Sequence, residues 1–142
     1  MIRPTLAATL ALTLLSPTAV LAAADAAPAV ERRAATVLMA HLHGDDPDGT
    51  GMATLRLAPA RGRVCARITW SDIDKPTAAH VHRVSDGSVV VDLTGAVTGG
   101  SRCTTGVSAR TVRRIARRPG RFYVNVHTAA YPGGAISGRL HR

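Results

Sequence analysis

Strict two-residue alternation of apolar and polar side chains is what most restricts the fold of this chain. In residues 63–70, Val64, Ala66, Ile68 and Trp70 share one side while Arg63, Cys65, Arg67 and Thr69 share the other, as in a β-strand with one face in a core. Residues 121–128 repeat the pattern, with Phe122, Val124 and Val126 alternating with Tyr123, Asn125 and His127. The same reading places strands over 36–42, 51–58, 78–84, 89–93 and 135–140. Each is bounded by Gly, Pro, Asp or Ser, at the spacing of an all-β sandwich or barrel. One stretch departs from it. Over 107–118, Val112, Ile115 and Ala116 fall at helical spacing, Ser108 suits the N-cap, and Pro119-Gly120 ends the run. The expected fold is all-β: a Greek-key-like antiparallel β-sandwich with one short surface helix.

Ahead of the first strand, Met1-Ile2-Arg3-Pro4 leads into an uncharged apolar run over 5–15, then small residues over 19–24. This is the layout of a secretory signal peptide. The run is about half the roughly 20 residues that span a bilayer, so no membrane span is expected after its removal. Cleavage is expected between Ala23 and Ala27, and the absence of cysteine before Cys65 leaves no site for a lipid anchor. The expected organisation is a signal peptide at 1–24, a flexible lead-in at 25–34 and one domain at 35–142, secreted and extracellular or cell-surface associated. In such an oxidising compartment two cysteines, Cys65 and Cys103, are most simply one disulfide. Neither lies in a C-x-x-C pair nor beside a histidine, which weighs against a redox or metal pair.

Lys and Arg total 18 against 9 Asp and Glu, a balance that attracts anionic surfaces. Arg110, Arg113, Arg114, Arg117 and Arg118 gather on the expected helix as an anion patch. The expected partner is an extracellular protein or an anionic cell-surface polymer. With 3% aromatic residues, base stacking has little to work with, so nucleic acid is not expected. The Asp-rich stretch 44–49 lacks the acid spacing and closing Glu of a calcium loop and reads as a solvated turn.

Four of the six histidines form two His-x-His pairs, His41 with His43 and His80 with His82. On a strand, residues two apart point to one side, so each pair aims two imidazoles the same way. His127 adds a third on a strand suited to lie beside the second pair. Two readings stand at this point: His80, His82 and His127 hold copper or zinc, or they hydrogen-bond to backbone and to one another near a strand end. The sequence holds no nucleophile elbow, paired carboxylates, P-loop or dinucleotide fingerprint. A binding or structural role is therefore expected ahead of catalysis.

The segments Gly51-Met52-Ala53-Thr54-Leu55, Ala78-Ala79-His80-Val81-His82, Val89-Val90-Val91-Asp92-Leu93, Tyr123-Val124-Asn125-Val126-His127-Thr128 and Tyr131-Pro132-Gly133-Gly134 resemble, in order, those of a CHRD domain. That module is repeated in chordin and occurs singly in many secreted bacterial proteins. The resemblance implies an extracellular β-sandwich related in shape to copper/zinc superoxide dismutase, and its cysteine positions also imply the disulfide. It makes a binding role thinkable, since chordin binds growth-factor ligands. His80-Val81-His82 is similar to the copper-binding His-Val-His of the dismutase, with His127 standing for its last copper ligand. No histidine lies between Arg83 and Val126, so the bridging imidazole and the zinc-site histidines have no counterpart. Three-imidazole copper or zinc binding is what the likeness retains.

Overall fold

The structure, a computed structural model, describes residues 35–142; the expected signal peptide and lead-in lie outside the described residues. Eight strands form: β1 (Thr36–His43), β2 (Thr50–Ala58), β3 (Arg63–Ser71), β4 (Ala78–Arg83), β5 (Val89–Asp92), β6 (Cys103–Thr104), β7 (Phe122–His127) and β8 (Ile136–Arg139). All but β6 are the expected strands, with ends that agree to within a residue. The exception carries no alternation because it is two residues long. Of the helices, α1 (Gly95–Thr98) is a single turn that no periodicity announces, while α2 (Ala109–Arg117) is the expected surface helix. Ser108 caps it, its Oγ accepting the Thr111 N–H at 3.1 Å. Among the described residues no helix is long and apolar enough to cross a membrane.

The strands run in the order β5-β4-β7-β8-β1-β2-β3-β6, every neighbouring pair antiparallel. β1, β2 and β3 form a meander; the chain then crosses to β4 and β5, returns to β6, and crosses again to β7 and β8, which gives the Greek-key character. The inward residues of the two halves meet in one core. Leu38, Ala40 and Leu42 of β1, Leu55 and Leu57 of β2, Val64 of β3, Val81 of β4, and Phe122, Val124 and Val126 of β7 are buried there, with Val112 and Ile115 of α2 closing one end. Each such Leu, Val or Phe contributes roughly 1.5–3 kcal/mol of apolar burial. Trp70, expected on this inward face, sits at its margin and is only partly buried against the core.

The halves join narrowly. β8 and β1 share the pair His43 with Ser137, and an isolated bridge links Met39 to His141. The backbones approach so closely that a Cβ on Gly138 would fall on the His41 carbonyl oxygen. At the opposite edge, Cys65 and Cys103 are register partners and are bonded to each other. A two-residue strand has few ladder bonds, so the disulfide is what fastens β6. Closing a loop of 38 residues stabilises by about 4 kcal/mol in the chain-entropy account.

Candidate metal centre

The outward face of the β4-β7-β8-β1 stretch carries all six histidines, because each lies on the parity opposite to the core residues of its strand or, for His141, just after β8. Register then sorts them. β4 and β7 pair His80 with Asn125, His82 with Tyr123 and Ala78 with His127, so His127 is the diagonal neighbour of His80. His80, His82 and His127 each offer a nitrogen, and these atoms lie within 4.8 Å of one another. Ligands about 2.0–2.1 Å from a shared ion are about 3.3–3.6 Å apart, so closure requires a contraction of about 1 Å. His41 and His43 stand apart on β1, exposed, with His41 stacked on His141 at 5.6 Å between ring centres.

Two of the three imidazoles have a backbone acceptor. The His82 Nδ1 lies 2.8 Å from the Gly87 carbonyl oxygen and the His127 Nδ1 2.9 Å from that of Pro132. A carbonyl only accepts, so both rings carry a proton on Nδ1. His127 Nε2 points at His80 Nδ1, 3.1 Å away. The remaining His80 nitrogen, Nε2, lies 4.0 Å from Asp92 Oδ1 across the β4–β5 pair. Outer partners of this kind fix tautomer and ring orientation at metal-ligating histidines.

The loops that supply those acceptors are themselves held. Asp86 accepts from Ser88 N–H at 3.0 Å and from the Ser88 hydroxyl and Arg83 guanidinium, which shapes the turn that presents Gly87. The same three hydrogen bonds, those from Ser88 first, lower the Asp86 carboxyl to about 2. Asn125 donates to the Gly133 carbonyl at 2.9 Å, anchoring the loop that presents Pro132. Gly134 has a φ of +136°, and a Cβ there would strike the Asn125 amide, so the loop can close over Asn125 only with glycine.

Two features separate this cluster from a hydrogen-bonded surface group. His82 is 8% exposed, and its Nε2 is buried without a hydrogen-bond partner, although an unmade bond on a buried polar atom costs about 1–3 kcal/mol. The ring that carries it lies 5.6 Å from that of His80 and 6.1 Å from that of His127, centre to centre. Burial, then the neighbouring His127 and His82 rings, pushes the His80 pKa below its ordinary value, with Asp92 opposing them. A neutral imidazole at neutral pH is the form that ligates a metal. The donor set fits a late first-row ion: three neutral nitrogens, with no carboxylate required among the ligands.

Sequence parity found the three histidines. It did not find Asp92, which the β4–β5 register sets beside His80, nor the Gly87 and Pro132 carbonyls, which depend on loop geometry. Tyr123, expected only as one of a polar trio, stacks on His82 at 5.1 Å with 16° between planes.

The CHRD domain family matches the chain over residues 18–140, a range that begins inside the segment read as a signal peptide and takes in every described strand. No individually curated protein matches it.

Proposed function

The chain belongs to the CHRD domain family, and on that premise we propose that it is an exported extracellular module that binds one copper ion through His80, His82 and His127. The observation that carries the metal reading is the buried, partnerless Nε2 of His82, in a ring that gathers with those of His80 and His127 so that one nitrogen of each lies within 4.8 Å of the others. Three neutral nitrogen donors favour Cu(II) over Zn(II) on the ordinary affinity order of divalent ions, and zinc is the competing ion. Bound there, copper supplies a positively charged centre with positions open to a further ligand.

Export is supported by the signal-like layout of residues 1–24 and by the Cys65–Cys103 disulfide, which suits an oxidising compartment. In this reading 25–34 is a short lead-in to the domain at 35–142, and the mature product is secreted, extracellular or cell-surface associated. N-terminal sequencing of material from the culture medium tests it: a start between Ala23 and Ala27 is expected, and retention of Met1 in the exported chain contradicts it.

The metal reading is tested by titrating the full chain with Cu(II) and Zn(II), beside a His80→Ala, His82→Ala variant. One ion per chain at submicromolar affinity, lost in the variant, is the expected result. Binding no tighter than the variant's overturns it.

A further inference from the structure

On another face of the molecule the arginines of α2 do not stand alone. Arg110, Arg113, Arg114 and Arg117 of α2 and Arg118 just after it line a cleft of about 670 Å³ together with Arg83 of β4, Arg139 of β8, Arg121 of the turn before β7, Val84 and Phe122. A volume of this size is that of a ligand site. Eight arginines thus line one concavity. Among the described residues the only carboxylate within 4 Å of any of them is Asp86, which pairs with Arg83. Arg110, Arg113, Arg114, Arg117 and Arg118 are all exposed, and the buried Nε of Arg83 has no acceptor.

Like charges this close repel within a screening length of about 8 Å at physiological ionic strength. An isolated solvated helix face spreads its charges outward. Here the arginines of α2 share one cleft with Arg83, Arg121 and Arg139, and the repulsion of so many like charges around it is relieved by a bound polyanion. The geometry points to a binding groove for a linear phosphate polymer without bases, a site independent of the histidine centre. Arginine, not lysine, supplies every cation of the lining, and its planar fork matches phosphate oxygens in pairs. A concave cleft takes a chain in preference to the flat surface of a bilayer. The only aromatic side chain in the lining, Phe122, is 2% exposed and cannot stack on a base.

The test uses the full chain, with chelator present so that the histidine site is silent. Fluorescence anisotropy follows displacement of labelled inorganic polyphosphate, at salt concentrations from about 0.05 to about 0.3 M, a range wide enough to define the counterion-release slope. Three chains are compared: the native one, Arg113→Gln with Arg117→Gln in the cleft, and Arg56→Gln with Arg67→Gln on the exposed face of β2 and β3. Each phosphate that is no longer neutralised should lower the salt slope by about 0.7, so the cleft variant should drop by about 1.4 in slope and bind roughly tenfold more weakly at about 0.15 M salt. The β2–β3 variant should bind within about twofold of the native chain, because its substitutions leave the phosphate-binding cations in place. Unlabelled poly(glycerol phosphate) as competitor distinguishes a wall-type polymer from free polyphosphate as the source of the phosphates.

Equal losses in both variants would reduce the effect to net charge and overturn the site. So would undetectable polyphosphate binding at physiological salt. Tighter binding at equal charge concentration to single-stranded oligonucleotide, to heparin or to anionic vesicles would overturn the phosphate-polymer assignment in favour of that class.

Discussion

Replacing His82 with Phe should leave the metal-free protein as stable as the native one or more stable, while abolishing its response to copper. The magnitudes come from the surroundings of one ring. His82 is almost fully buried, its Nε2 has no partner, and its Nδ1 bonds the Gly87 carbonyl oxygen at 2.8 Å. Leaving Nε2 unsatisfied costs the metal-free fold about 1–3 kcal/mol, and the Gly87 bond returns about 1 kcal/mol. Phe removes both and keeps the stacking on Tyr123, so the net change should lie between none and about 2 kcal/mol in favour of the variant. Metal reverses the order. At free copper about a thousandfold above the dissociation constant, the native chain gains about 4 kcal/mol and the variant nothing. Urea unfolding of both chains, with chelator and with copper, reads the four stabilities. A metal-free variant weakened by more than about 2 kcal/mol, with a copper response equal to the native one, would show that His82 is an ordinary core histidine and refute the reasoning.

The Cys65→Ser, Cys103→Ser chain should lose about 4 kcal/mol in urea unfolding, and a loss under about 1 kcal/mol would show that β6 is held by other interactions. Gly138→Ala, whose new methyl would meet the His41 carbonyl oxygen, should cost about 1–3 kcal/mol by wedging β8 from β1; an unchanged thermal midpoint would contradict the close approach at that seam. Because the His80 pKa is lowered in the folded chain, the unfolded state binds more protons as pH falls through its ordinary value of 6.5, and metal-free stability should fall on acidification from neutral pH toward the lower folded value. The urea midpoint should follow, and His80→Gln should flatten the dependence; a midpoint that rises on acidification contradicts it.

Alternation made most of the sheet readable because a strand with one buried face must repeat every second residue, and Phe122, Val124 and Val126 obey that rule without exception. What it could not reach is pairing. The insertion of β8 between β7 and β1 turns on a glycine, Gly138, whose lack of a side chain gives no signal in the pattern, and β6 is fixed by a covalent bond instead of by its two residues. The histidines show the same division. Parity within β4 aligned His80 with His82, but convergence with His127 needed β4 and β7 to be neighbours across 47 positions of sequence. The acceptors on Gly87 and Pro132 are backbone atoms, which any residue supplies. The arginines at 110, 113, 114, 117 and 118 were visible as a patch; only folding brings Arg83 and Arg139 of the sheet into the same cleft.

X-ray absorption at the metal edge of the copper-loaded full chain addresses the coordination directly. Three imidazole nitrogens at about 2.0 Å, falling to two when His127 is replaced by Ala, is the predicted result. A first shell without the scattering pattern of histidine rings, or one unchanged by that substitution, would contradict a metal centre at His80, His82 and His127.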